Sequence, residues 1–309
     1  MPMSMPNVGH ANTDLRRPVA MITGASRGIG RAAAIDLADA GFDIVITART
    51  QREGEGRSDV DDGLVLPGSL ESTAAAIVAT GADVLAVPMD LLDRSSVLAA
   101  VSAAYDRFGT IDLLLNNAVY QGFGGMELIA EIPEDGLANV IEGNVFAQLA
   151  LVRAVLAPMV AAGGGTIINM ISSVGYVDPP APSGSGGWGL GYAMSKAAFG
   201  RITPLIHVEY GSQRIRSFSL DPGFTITEKM IAAGRAAQYS KHFTPATPEV
   251  IGKAIRWLAT DSAADEYCGK VVIAQREVAR RGLLPGWPPP RPLPAETSTA
   301  PTPTETGAA

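Results

Sequence analysis

The sequence predicts a single α/β domain with a doubly wound sheet: seven largely parallel strands, helices on both faces and right-handed crossovers. Three observations carry this. Short apolar runs alternate with helix-length segments, with no pause long enough to found a second core in 309 residues. Two of the runs, Ile111 to Leu115 and Thr166 to Ile171, are nearly all apolar, as strands buried on both faces must be. The first run leads directly into a glycine-rich turn and an alanine-rich segment, the pattern of strand, turn and helix.

In chain order, Pro18 to Ile22 is the first strand, Thr23-Gly24-Ala25-Ser26-Arg27-Gly28-Ile29-Gly30 the turn, and Arg31 to Ala40 the helix. Glycines in such a turn permit positive φ and let a diphosphate approach the backbone, whose charge meets the helix's free N–H groups and dipole. Asp43 to Ala48 is the second strand. It ends at Arg49, where an acid would bind the ribose 2′-hydroxyl of NAD; with Arg27 nearby, a 2′-phosphate finds two cations, so NADP(H) is expected over NAD(H). Gln51 to Ser69 is acidic and glycine-rich and is expected to be an exposed loop. Ser69 to Thr80 reads as a helix, Asp83 to Pro88 as a strand ending in Met89-Asp90-Leu91, and Asp93 to Phe108 as a helix with Val97, Val101 and Tyr105 on one side.

The strand from Ile111 runs into Asn116-Asn117-Ala118-Val119, and Tyr120 to Gly125 follows at the expected substrate mouth. Pro133 to Ala162 is long enough for one helix, inside which Asn144 must satisfy its amide among Val, Leu and Ala. The segment Asp178 to Trp188 is stiffened by prolines and then loosened by glycines, which suits a loop capping a pocket with Trp188 as an apolar wall. Arg214 to Leu220 is the sixth strand, ending in Asp221-Pro222-Gly223-Phe224-Thr225-Ile226-Thr227. Glu228 to Thr244 is expected to start as a mobile helix that closes over substrate, Pro248 to Thr260 as a further helix, and Lys270 to Ala274 as the last strand. Residues 1–16 read as a disordered leader and 285–309, rich in Pro, Thr and Ala, as a disordered tail, which leaves 17–284 as the domain.

The chemistry is expected between Ser172 and Lys196. Four residues separate Tyr192 from Lys196, so on a helix the phenol and the ammonium share a face. At roughly 4 Å and an effective dielectric of ~20, a cation is worth about 4 kcal/mol to a phenolate, or roughly three pKa units, with desolvation opposing it. On this basis Tyr192 is a candidate proton donor and acceptor near neutral pH. Either Ser172 or Ser173, at the end of the fifth strand, can donate to a substrate oxygen.

The glycine turn, Asn116-Asn117-Ala118, Asn144, Ser173, Tyr192-x-x-x-Lys196 and Asp221-Pro222-Gly223 stand in the order of the short-chain dehydrogenase/reductase family, which the chain resembles from about residue 17 to about residue 275. The resemblance implies a Rossmann-type, NAD(P)-dependent oxidoreductase acting on a carbonyl or secondary alcohol. It selects Ser173 to hold the substrate oxygen, Tyr192 to move the proton, Lys196 to lower the phenol's pKa and grip the nicotinamide ribose, and Asn144 to keep a relay water. It implies cofactor contacts from Thr23, Gly24, Ser26, Arg27, Gly28, Ile29, Gly30 and Arg49, from Asp90 and Leu91 at the adenine, from Asn117 and Ala118, from Pro222, Gly223 and Thr225 at the nicotinamide amide, and from Thr227 at a phosphate. Val119, Asp221 and Gln275-Arg276-Glu277 depart from the commoner Gly, Asn and Asp-Gly-Gly. The last departure bears on oligomer contacts, so a homo-oligomer, dimer or tetramer, is expected without a fixed size.

Composition narrows the rest. A net charge of −7 and the lack of a lysine or arginine run speak against nucleic acid. One cysteine, Cys268, rules out an internal disulfide and fits a cytoplasmic location; three histidines offer no metal cluster. Val145 to Ala162 is broken by Gln148, Arg153 and Pro158 and reads as a buried helix rather than a membrane span. Gly24-Ala25-Ser26-Arg27-Gly28 also fits a hydrolase nucleophile elbow, but only one strand precedes it and Tyr192 and Lys196 would have no task. A non-catalytic NADP(H)-binding regulator is the other reading; it has no use for the retained Ser173, Tyr192, Lys196 and Asn144.

Overall fold

Successive side chains of a strand point to opposite faces, and β1 (Val19–Thr23) shows the result: Ala20 and Ile22 enter one core layer, Val19 and Met21 the other. The computed structural model describes residues 16–61, 63–234 and 245–287. After β1 come α1 (Gly28–Asp39), β2 (Asp43–Ala48), α2 (Leu70–Val78), β3 (Val84–Pro88), α3 (Arg94–Phe108) and β4 (Leu113–Asn116). Then follow α4 (Glu134–Ile141), α5 (Ala147–Ala161), β5 (Gly165–Met170), α6 (Leu190–Gly200), α7 (Ile202–Tyr210) and β6 (Ile215–Asp221). The last elements are α8 (Glu228–Ala232), α9 (Pro248–Thr260), β7 (Val271–Ile273) and α10 (Ala274–Arg281). The strands form one sheet in the order β3-β2-β1-β4-β5-β6-β7, with every pairing parallel.

One layer is built on α1 and α9, whose Ala33, Leu37, Val250, Ile251, Ala254 and Leu258 bury against Ile22, Ile46, Leu115 and Phe218. The other is built on α3 and α5, whose Val97, Val101, Leu151, Val155 and Met159 cover Met21, Val45, Leu114 and Ile167. Glu134–Ala161 is long and apolar enough by composition to cross a bilayer. Its Gln148, Leu151, Val152, Val155 and Met159 are instead buried in the protein.

Local signals set the helix ends. Ser69 and Ser72 exchange hydrogen bonds as a capping box for α2, Asp93 caps α3 by accepting from the N–H groups of Ser95 and Ser96, and Gly109 ends α3 at φ +73°. Two expectations change. The helix from Pro133 to Ala162 is interrupted by a π turn at Glu142–Phe146, because Gly143 and Asn144 are pressed on Tyr120: a Cβ at Gly143 would lie 2.9 Å from that of Tyr120. The loop from Gln51 is also less solvated than its composition suggests. A bridge pairs Arg57 with Val65, Ser58 and Leu66 are buried, and Gly68 lies so close to the glycine turn that a Cβ would sit 2.5 Å from the Ser26 carbonyl oxygen. Of the helix expected from Glu228, the described residues hold Glu228–Ala232; residues 235–244, the leader up to residue 15 and the tail from 288 lie outside them.

One layer has a glycine at its helix crossing. At the crossing of α1 and α9, a Cβ at Gly252 would stand 3.4 Å from the Ala32 backbone, an ordinary contact. Gly252→Ala is therefore expected to gain up to about 1 kcal/mol of helix propensity. Gly252→Leu should lose about 1–3 kcal/mol by forcing the helices apart. Urea unfolding of both variants checks the opposite signs.

Candidate active site

β1 is paired to β2 on one side and β4 on the other, and the chain leaves these neighbours in opposite directions, so a crevice opens at their carboxyl ends. The glycine turn lies there. Gly24 and Gly28 hold φ of +69° and +57°, which glycine tolerates. A Cβ at Gly30 would be 2.3 Å from the Gly24 carbonyl oxygen, so the third glycine is fixed by packing. Thr23 fastens the turn to β4: its hydroxyl oxygen accepts from the N–H groups of Asn117 at 3.0 Å and Ala118 at 2.9 Å. Asn117 donates its amide to the carbonyls of Thr23 and Gly24, at 2.8 and 3.2 Å. Asn117 thus braces the turn itself.

The residues fit a dinucleotide at this crevice on an observation from the chain. The Gly28 N–H, at the start of α1, donates at 2.9 Å to a carboxylate oxygen of Glu228, and Thr227 stands over Gly28, its methyl 3.4 Å from where a Cβ would be. An anion of the protein's own occupies the place where a diphosphate meets a helix N-terminus. Ser26 is buried beneath the turn, Ile29 is half-buried, and Leu91 is buried beside Asp90. Asp90 accepts from the Leu92 N–H at 2.9 Å and donates its own N–H to Ser96.

The two arginines are engaged elsewhere. Arg27 donates to the carbonyls of Pro67 at 2.6 Å and Gly68 at 2.9 Å and to the Thr50 hydroxyl at 3.1 Å, and burial lowers its pKa. Arg49 pairs with Asp59 at 2.5 Å, its side chain half exposed. The sequence did not foresee that the segment after β2 would take both.

Facing the crevice from β5 and β6 is the reactive group of side chains. α6 brings Tyr192 and Lys196 into the protein, which it can do only because glycines meet at its start: a Cβ at Gly189 would be 2.5 Å from the Gly125 carbonyl oxygen, and one at Gly191 would be 1.9 Å from that of Gly124. The Tyr192 N–H donates to the Gly125 carbonyl at 3.0 Å. Loop 120–126 and loop 174–190 therefore fix the phenol jointly, with the Ser183 hydroxyl donating to the Met126 carbonyl and Trp188 half-buried.

Burial dominates the electrostatics. It pushes the Tyr192 phenol up to about 12, with hydrogen bonding to Ser172 pulling it down and the charge of Asp221 pushing it further up. It drives Lys196 down to about 8, with Asp221 opposing. The ammonium donates to the Met170 carbonyl at 2.8 Å, and its nitrogen lies 5.9 Å from the centre of the Tyr192 ring. The strong lowering of the phenol expected from Lys196 is thus not what this arrangement gives; enclosure outweighs it. Ser172 is the hydroxyl that acts on the phenol here, while Ser173 opens the short turn Ser173–Gly175 beside it.

Asn144 sits in the π turn, accepting from the Tyr120 N–H at 2.7 Å and donating to the Tyr120 carbonyl at 3.0 Å, with Ser195 at 3.4 Å. At the end of β6, Gly223 has φ +63°, and Gln275 donates to the carbonyls of Pro222 at 2.9 Å and Phe224 at 3.0 Å, leaving Thr225 buried. Gln275, noted in the sequence only as a departure, is the brace of this turn. Tyr176 was also missed: its hydroxyl donates to the Asp221 carboxylate.

A model of the short chain dehydrogenase family matches residues 18–59 and 65–237. The chain is 28% identical over 260 residues to a 3-oxoacyl-[acyl-carrier-protein] reductase of Synechocystis, covering 84% of this chain and 95% of that one. It is 30% identical over 260 residues to the short chain dehydrogenase/reductase astE of Aspergillus oryzae, covering 81% and 90%. A crystal structure of a short chain dehydrogenase from Mycobacterium paratuberculosis bound to NAD has the same fold, with a TM-score of 0.66 at 24% identity over 83% of this chain and 95% of that one. The chain belongs to the short-chain dehydrogenase family, oxidoreductases that act on carbonyl and alcohol groups with a nicotinamide cofactor.

Proposed function

We propose that the chain interconverts a carbonyl and a secondary alcohol of a small organic substrate through Tyr192, Ser173, Lys196 and Asn144, using NADP(H) in preference to NAD(H). The observation that carries this is the pair of a half-buried Tyr192 and a buried Lys196 on one face of α6, the lysine donating to the Met170 carbonyl. The nicotinamide, when bound, supplies or accepts the hydride. Tyr192 gives the substrate oxygen its proton or removes it; a phenol with a pKa near 12 favours giving, which suits reduction. Ser173 orients that oxygen, and Ser172 steadies the phenol. Lys196, with a pKa near 8, holds or yields a proton within the working range, exchanging it with a relay water that Asn144 keeps. The glycine turn and α1 hold the diphosphate, Asp90 the adenine, and Pro222, Gly223 and Thr225 the carboxamide. A cytoplasmic location and a homo-oligomer belong to this reading, as does a substrate mouth formed by residues 119–126, 174–190 and 224–234.

The NADP(H) preference rests on Arg49, because Arg27 is tied to the loop. Asp59 competes for Arg49, so the preference is expected to be small, and Asp59→Asn should raise the ratio of NADPH to NADH affinity by about tenfold. Arg49→Ala should lower it; fluorescence titration with each cofactor checks both.

Glu228 competes for the α1 N-terminus in the same way. Glu228→Gln is expected to tighten NADPH binding by roughly three- to tenfold, since the diphosphate no longer displaces a carboxylate. Calorimetric titration would show it.

Tyr192→Phe should cut turnover of a panel of ketones and β-keto esters by about 10²–10⁴-fold while cofactor binding persists. Lys196→Met should abolish turnover yet stabilise the cofactor-free protein at pH 7. A lysine pKa lowered from 10.5 to about 8 means that the unfolded chain binds more protons between those values. The penalty is complete below pH 8, on the order of 3 kcal/mol, and fades as pH rises to 10.5. Thermal unfolding across pH 7–10.5 should give Lys196→Met the higher midpoint at pH 7 and the flatter profile.

A further inference from the structure

Asp221 ends β6 and is 3% exposed. A carboxylate so enclosed needs donors, and it has two within the described residues: the Tyr176 hydroxyl, and the Gly223 N–H at 2.9 Å. These bonds join two parts of the site. Tyr176 follows the turn that begins at Ser173, with a ring half exposed beside loop 174–190; Gly223 belongs to the turn that Gln275 braces through Pro222 and Phe224. Strand register sets Met170, whose carbonyl takes the Lys196 ammonium, against Leu220, the residue before Asp221. The carboxylate thus ends the strand that neighbours the carbonyl holding the Lys196 ammonium.

We infer that Asp221, clasped by Tyr176, is a positioning residue of the catalytic pair: its charge stands at the end of the strand next to the one that holds the Lys196 ammonium, and its two hydrogen bonds tie the wall of the substrate pocket to the turn bordering the cofactor crevice. The inference rests on the reading of Tyr192 and Lys196 as the proton-moving pair. An amide at residue 221 would keep the shape and lose the field. The charged and titratable groups around Asp221 are Tyr176 from the turn after β5, Tyr192 and Lys196 from α6, and Arg276 from α10, which acts on Tyr176. Asp221 pushes the Tyr192 phenol up and resists the burial that lowers Lys196; Tyr176 is pushed up by burial and by Asp221 in turn. Tyr176 thus keeps its own proton and takes no part in the transfer.

Two variants separate a field from a scaffold. Asp221→Asn removes the charge, so protons leave Tyr192 and Lys196 at lower pH; Tyr176→Phe removes the donor, leaves the charge less neutralised, and shifts the same loss to higher pH. The readouts are NADP+ affinity, followed by quenching of tryptophan fluorescence from pH 6.5 to 10.5, and the pH profile of kcat/KM for NADP+-dependent oxidation of a panel of secondary alcohols. The expected result is an inflection moved down by about one pH unit in Asp221→Asn and up by several tenths in Tyr176→Phe. Superimposable inflections, or displacement of both variants in one direction, would overturn the inference while leaving the wild-type activity intact. Should Asp221→Asn fail to fold, Tyr176→Phe decides alone: an inflection that stays in place or moves down overturns it. A wild-type chain that binds neither NADP+ nor NAD+ and turns over no alcohol with either overturns the underlying function, and this inference with it.

Discussion

Taking an ammonium group out of water is the constraint on which the site depends. Lys196 is enclosed, and a lysine in that position loses several kcal/mol of hydration that a single carbonyl, that of Met170, cannot return. The lowered pKa is the measure of the deficit. Groups arranged around it reduce the deficit: the Asp221 charge, and the aromatic faces of Tyr192 and Phe199 at 5.9 and 5.7 Å. A hydroxylated ligand in the crevice would add further acceptors. The cofactor-free protein is thus poised to gain by binding.

Enclosure of that kind requires backbone to approach backbone. α6 meets loop 120–126 at Gly189 and Gly191, and it meets the turn after β5 at Gly175, where a Cβ would be 2.7 Å from the Ala197 nitrogen. Side chains at these positions would hold α6 away and leave Lys196 in water, with its ordinary pKa and no reason to bind anything. The same logic operates at the crevice, where Gly30 lets α1 close on the Gly24 carbonyl and the N-terminus of that helix attracts a carboxylate, Glu228, in place of a diphosphate. In both places the chain puts its own group where a ligand's would go.

The succession of strands and helices, the glycine turn and the four-residue spacing of Tyr192 and Lys196 were legible because each depends on local pattern: apolar runs, positive φ and helical periodicity. What was not legible depends on distant partners. Nothing in Glu142-Gly143-Asn144-Val145-Phe146 announces a π turn; it arises because Tyr120, more than twenty residues earlier, presses on it. Arg27 and Arg49 looked like two cations awaiting a phosphate, since their engagement depends on a loop whose composition suggested solvent. Asp221 read as a mild change from asparagine until Tyr176, forty-five residues away, supplied its donor.

The segment between β2 and α2 changes what cofactor selectivity means in this chain. Where a β2-end residue alone reads the ribose, one substitution exchanges the cofactor. Here Arg27 is built into the loop through Pro67 and Gly68, α2 holds the turn by donating the Thr73 hydroxyl to the Ala25 carbonyl at 2.9 Å, and Arg49 is shared with Asp59. A 2′-phosphate must compete with a covalently tethered carboxylate whose effective concentration is high, so the affinity for it is the difference between two ion pairs of similar kind. Under the proposed NADP(H) preference, selectivity set by such a difference would be small and easily moved by salt, because the Arg49 side chain is half exposed and its interactions are screened.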